Sequence, residues 1–143
     1  MLAVQEVSTF VDLQTAIVNA PTSGELTEIV ISGNIDVTAQ ITVDSGRNVQ
    51  ITGTAGERRV LDAKASYNYP RRHFEVGSGS TLALINLELT NGYVYGDSSG
   101  GAVYIESAGT FTATECTFSG NTAASDTCFR LRRGCMGLLV DGR

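Results

Sequence analysis

Apolar residues in this chain recur in a fixed pattern: two apolar positions one residue apart, five residues of turn character, then two more. Ile41/Val43 with Val49/Ile51 is the first copy, Phe74/Val76 with Leu82/Leu84 the second, and Val103/Ile105 with Phe111/Ala113 the third. The intervening stretches are DSGRN, GSGST and ESAGT, and successive copies begin 33 (74 − 41) and 29 (103 − 74) residues apart. Alternation of this kind puts the apolar members on one face of a strand and Thr, Glu, Gln and Arg on the other. A unit of about 20–50 residues marks a repeat architecture, because one unit cannot bury its apolar face without neighbours above and below. The copies run in the same direction and are too long for hairpins. The pattern therefore predicts an all-β fold of stacked, parallel coils about 4.8 Å apart.

Two ends of the chain depart from the repeat. Phe10, Leu13, Ala16, Ile17 and Ala20 follow helical spacing, with Thr9 and Asp12 placed as an N-terminal cap and Pro21 as a stop, which predicts a helix over about 10–20. Such a helix is placed to cap the exposed end of a β stack, with the coils starting at about residue 27. The following TEIVISGNIDVTAQITV reads as strands broken at Gly33-Asn34. Gly53, Asn91-Gly92 and Gly120-Asn121 fall where the chain must turn. Residues 122–143 lose the alternation. The domain reading is therefore a β domain over 1–121 and an aperiodic, weakly ordered tail over 122–143 that looks like a truncated end.

Composition and charge narrow the chemistry. Sixteen Gly, two Pro and no Trp suit a turn-dense β protein. Residues 1–121 carry 13 acidic and 6 basic side chains, whereas 122–143 carry 2 and 4. The Arg130, Arg132, Arg133 cluster is short and lacks interleaved aromatics, so the acidic body argues against a nucleic-acid partner. No apolar run reaches the length of a membrane span, and MLAVQEVSTF shows no secretory signal. Cys116, Cys128 and Cys135 are odd in number and match no zinc spacing, so no metal or cofactor is implied; Cys116 reads as a core residue. His73 stands alone at the start of a coil, and Gly77-Ser78-Gly79 is a turn with no lysine behind it.

The segments TLALINLELTNG (81–92) and GGAVYIESAGTFTATECTFSGN (100–121) resemble the repeats of a right-handed parallel β-helix solenoid of the pectin-lyase-like superfamily. They are most similar to the polymorphic outer-membrane protein repeats, whose GGA-aliphatic and Phe-x-x-Asn signatures appear as Gly100–Val103 and Phe118–Asn121. The resemblance implies an exported or cell-surface module used for adhesion or glycan contact. It also implies a fold shared with polysaccharide lyases and glycoside hydrolases. The Asn-Thr-Asp, Asp-Asp, Gly-His-Gly and Arg-x-Lys sites of β-helix galacturonases do not occur here. Asp36, Asp44, Asp62 and Asp97 do not share the register a lyase calcium cluster needs. No catalytic residue is assigned.

Binding has a better foothold. The insertions KASYNYPRRH (64–73) and GYVYGDSSG (92–100) both end just before equivalent strands, at Phe74 and Val103. Insertions at equivalent points project from the same edge of adjacent coils. Tyr67, Tyr69, Arg71, Arg72, Tyr93 and Tyr95 are therefore the candidate ligand-binding residues, for a glycan or a cell-surface protein. The competing reading folds these rings back onto the wall. The expected function is a non-catalytic, adhesin-like module. The alternatives are a fragment of a β-helix lyase or hydrolase, or a truncated chain without independent function. An uncapped final coil would favour self-association.

Overall fold

The computed structural model describes residues 4–54, 56–94, 101–123, 130–131 and 134–135, and within them the repeat of the sequence becomes a set of parallel ladders. The chain opens with β1 (Gln5–Val7) and α1 (Phe10–Val18). The first coil is β2 (Leu26–Ile31), β3 (Ile35–Asp36) and β4 (Ile41–Val43), and the second is β5 (Asn48–Gly53), β6 (Arg59–Asp62) and β7 (Phe74–Val76). The third runs β8 (Thr81–Ile85), β9 (Leu87–Thr90), β10 (Tyr93–Val94) and β11 (Val103–Ile105). The fourth runs β12 (Thr110–Thr114), β13 (Thr117–Ser119), β14 (Thr122–Ala123) and β15 (Arg130–Leu131), followed by β16 (Gly134–Cys135).

Each coil supplies one strand to each of three sheets. Their orders are β1-β2-β5-β8-β12, β3-β6-β9-β13 and β4-β7-β11-β15-β16, with β10 and β14 forming a short fourth pair. Pairing from coil to coil is parallel, and β16 alone of these strands turns back antiparallel, onto β15. The fold is all-β with one short helix, and its parallel sheets are those of a β-helix.

Register follows the sequence repeat residue for residue. Ile41, Phe74 and Val103 are aligned, as are Val43, Val76 and Ile105. Val49, Leu82 and Phe111 form a third column, and Ile51, Leu84 and Ala113 a fourth. Phe74, Val76, Leu82 and Leu84 are wholly buried in the single cluster that fills the interior. Each such side chain contributes about 1.5–3 kcal/mol through the apolar surface it removes from water.

The helix starts where its cap predicts. The Thr9 side chain accepts a hydrogen bond from the Asp12 amide at 3.1 Å, and Leu13, Ala16 and Ile17 are buried. Arg47, from the turn between β4 and β5, closes the other end by donating to the carbonyls of Val18 (2.9 Å) and Ala20 (3.1 Å). A cation there is favourable, since the last carbonyls of a helix lack partners and carry its negative pole. The helix stops at Val18 rather than reaching residue 20. The structure also places a strand ahead of it: β1 pairs parallel with β2. Three residues are too few to show a period; β1 becomes a strand by bonding to the edge of β2.

The corner asparagines do not stack on one another as a ladder; each bonds the coil before it. The Asn91 amide donates to Asp62, and the Asn121 amide donates to the Leu89 carbonyl at 2.9 Å. Past Asn121, β14 pairs with β10 and β15 with β11, both in parallel. Most of the predicted 122–143 tail lies outside the described residues.

Thr27 heads the column of Val49, Leu82 and Phe111. It is fully buried, and its hydroxyl has no hydrogen-bond partner. An orphaned buried hydroxyl costs free energy that an isosteric methyl does not. Thr27→Val is expected to raise stability by about 1 kcal/mol, and Leu84→Ala to lower it by about 2–5 kcal/mol. Denaturant unfolding followed by circular dichroism distinguishes the two, and a destabilised Thr27→Val variant would contradict the column.

Candidate functional site

Both insertions leave the wall after the same sheet and re-enter at Phe74 and Val103, which are register partners. In the first, the Asp62 carboxylate accepts from the Lys64 amide at 2.8 Å, and Lys64 adopts a left-handed backbone at φ 51°. A turn follows in which the backbones of Ser66 and Tyr69 exchange hydrogen bonds of 3.0 and 3.1 Å. This turn lifts Tyr67 and Tyr69 to the surface, where they are 69% and 66% exposed.

The two insertions are sewn together through their backbones. Arg71 and Tyr93 form an antiparallel bridge with bonds of 2.7 and 2.9 Å, and the Ala65 amide donates to the Asn91 carbonyl at 3.0 Å. Gly92 sits where no side chain fits: a Cβ there would lie 2.1 Å from the Gly101 carbonyl oxygen. Its amide donates to Asn121 Oδ1 at 2.7 Å, which ties the second insertion to the next coil.

The structure divides the candidate residues. Tyr67, Tyr69, Arg71 and Tyr93 share the loop edge, while Tyr95 lies outside the described residues. Arg71 turns its guanidinium inward and donates to the Ala63 carbonyl, holding the base of its own loop. Arg72 leaves for the outer face of the sheet containing β4, β7 and β11. There it donates to Gln40 Oε1 at 2.9 Å and lies 5.2 Å from the centre of the Tyr104 ring, within cation–π range. Burial pulls the Arg72 guanidinium below its ordinary range, against the opposing pull of Glu75 and Tyr104. Neighbouring residues of an extended chain point to opposite sides, which is why Arg71 and Arg72 separate. Tyr104, Gln40 and Glu75 were not among the candidates. The signal for two of them was present, since Glu75 and Tyr104 are the outward middle residues of the repeated FEV and VYI strands.

His73, at the start of its coil strand, is enclosed. It is completely buried, and its Nε2 lies 2.9 Å from the Leu61 carbonyl and 3.0 Å from that of Thr90. Two carbonyl partners require Nε2 to carry the proton, which leaves Nδ1 as an acceptor with no partner. Burial pushes the imidazole down to about 4, against the pull of the Leu61 and Thr90 carbonyls and of Asp62. For Asp62 itself, burial acts upward but is outweighed by the Asn91 amide, the Lys64 amide and the Lys64 charge, so its carboxyl is held below its usual range. Cys116 is buried and bonded to the Thr114 carbonyl, and burial raises its thiol, so it is a core group and not a nucleophile. Among the described residues no three His, Cys, Asp or Glu side chains cluster as metal ligands, and no helix is long and apolar enough to cross a membrane.

Parallel coils in three sheets, with side chains aligned from coil to coil and loops thrown out at one edge, define the class as a parallel β-helix. Within that class the chain belongs to the family described as "Putative pectate lyase-like adhesive domain", whose model matches residues 4–125. Searches of the curated proteins and of the solved structures found no significant match.

Because His73 is neutral in the fold and its pKa is about 6.5 when unfolded, the unfolded chain binds the proton first as pH falls. The His73 contribution to stability is therefore level above about pH 6.5 and declines toward pH 4, by roughly 3 kcal/mol in total. Unfolding titrations at stepped pH measure this, and His73→Gln removes that slope whatever it does to stability at pH 7. Gly92→Ala forces the Gly101 carbonyl to move and is expected to cost about 1–3 kcal/mol, read as a lowered denaturation midpoint.

Proposed function

We propose that this chain is a non-catalytic, adhesin-like surface module that engages a glycan or a protein through the loop edge where the insertions at 64–73 and 92–94 meet. The observation that carries this reading is the Arg71–Tyr93 backbone bridge, which joins two successive insertions into one ledge beneath the exposed Tyr67 and Tyr69 rings. Tyrosine offers a flat apolar face with a polar tip, and a ring on a braced loop loses little freedom on binding. The match to an adhesive domain family supports the same reading and supports display outside the cell.

The coils in this reading form one right-handed solenoid, with α1 covering its first turn through Leu13, Ala16 and Ile17. The signatures at 100–103 and 118–121 support a likeness to the polymorphic outer-membrane protein repeats. The titratable groups favour binding over catalysis. The aligned carboxylates of Asp36 and Asp62 have Lys64 Nζ between them, at 4.0 and 3.8 Å. Asp62 is shifted downward, the wrong direction for the general acid of a glycosidase.

Changing Tyr67, Tyr69, Tyr93 and Tyr95 together to Ala is expected to weaken attachment to cells or to an arrayed glycan by at least about tenfold. The far-ultraviolet spectrum should stay unchanged. Undiminished attachment by a folded quadruple variant would remove the loop edge from the function.

A further inference from the structure

We infer that Asn91-Gly92 is a self-modification site: when the loop edge opens, Asn91 converts to aspartate or isoaspartate, and the second insertion can no longer return to its native bonds. This is the one Asn-Gly pair in the sequence. The fold itself calls for it. Residue 91 has a left-handed backbone at φ 61°, which asparagine tolerates, and a side chain at residue 92 would strike the Gly101 carbonyl. Asn-Gly is also the pair that cyclises most readily, because glycine sets no side chain in the path of its own nitrogen.

The reaction needs only water. The Gly92 nitrogen attacks Asn91 Cγ, and the side-chain nitrogen leaves as ammonia with the proton that Gly92 gives up. Water then opens the resulting succinimide at either carbonyl. One opening gives aspartate; the other gives isoaspartate, with an extra methylene in the main chain.

In the closed edge both reacting groups are held. The Gly92 amide is committed to Asn121 Oδ1 at 2.7 Å, and the Asn91 side-chain amide donates to Asp62 Oδ1 at 3.0 Å. The Asn91 carbonyl accepts from the Ala65 amide at 3.0 Å. Asn121 lies in the coil after Asn91, and Asp62 and Ala65 in the coil before it, so the stacking of coils is what protects the pair. Asn91 is exposed, and water reaches it once these bonds open. Either product then resists closing again. A carboxylate at residue 91 replaces the donor to Asp62 with a like charge, where Lys64 is already shared between Asp36 and Asp62. Isoaspartate displaces the backbone that follows, which carries the Tyr93 bridge to Arg71 and the Gly92 carbonyl that accepts from Thr122. This chemistry does not depend on what the loop edge binds.

The test ages the full chain at mildly alkaline pH, folded and in guanidinium chloride, and follows residue 91 by peptide mapping with mass spectrometry and an isoaspartate-specific methyltransferase. Asn91 is expected to convert at least about tenfold more slowly in the folded chain. Asn121→Ala, which frees the Gly92 amide, should speed conversion in the folded chain by about tenfold. Asn91→Asp should speed hydrogen exchange at the Ala65 and Tyr93 amides and leave Ile51 and Leu84 in the wall unchanged. The inference is overturned if folded and unfolded chains convert at one rate, if Asn121→Ala converts no faster, or if Asn91→Asp leaves Ala65 and Tyr93 exchange as it was. Should Asn121→Ala fail to fold, the wild-type rate comparison and the Asn91→Asp exchange map decide.

Discussion

Everything in this structure depends on the parallel register that sets each inward side chain directly against its counterpart in the next coil. The backbone bonds of a parallel ladder hold the coils together, and the columns they create bury the apolar residues. A slip of one residue would turn every side chain of a strand to the opposite face, so register and burial enforce one another. The coil containing the first insertion is longer than the one after it, yet Ile41, Phe74 and Val103 remain aligned. Extra residues therefore leave and return at fixed points, and the surface they make is anchored by the wall.

That anchoring is visible at the edge where the insertions emerge. Ala65 bonds to Asn91, Arg71 pairs with Tyr93, and Asn121 reaches back to Gly92, so each loop base is tied to the coil beside it. Inside the same edge, His73 ties its coil to the coils on both sides: its amide donates to the Ala102 carbonyl, its carbonyl accepts from the Ile41 amide, and its ring bonds to Thr90 of the next coil and Leu61 of its own. A buried imidazole with an unpartnered nitrogen is a costly brace, and the cost grows in acid because burial disfavours the charged ring. Between His73 and Pro70 the chain also separates Arg71 from Arg72. The single alternation that builds the core thus deals the surface residues to two different places: a loop ledge, and a sheet face carrying Tyr104.

Within this adhesive domain family member, several of the described titratable groups are engaged in the fold. His73 is neutral and enclosed, Cys116 is packed into the core, and Lys64 lies between Asp36 and Asp62. Among the described residues, Tyr67 and Tyr69 are large side chains left exposed at the loop edge.

The repeat, the parallel all-β class and the registers of its central columns were legible in the amino-acid sequence, because a period of two and a recurring unit leave their mark on every strand. The helix start was legible too, through Thr9 and Asp12. Strand β1 was not, since three residues show no period and it exists only by pairing with β2. The surface was legible in part. Equivalent insertion points placed Tyr67, Tyr69, Arg71 and Tyr93 on one edge, but only the folded chain sent Arg72 to Tyr104 and enclosed His73 between coils. Alternation and turn chemistry are local properties that the sequence carries by itself. Which side chains meet across coils, some 30 residues apart, is decided by register, loop path and packing, and these exist only once the coils are stacked.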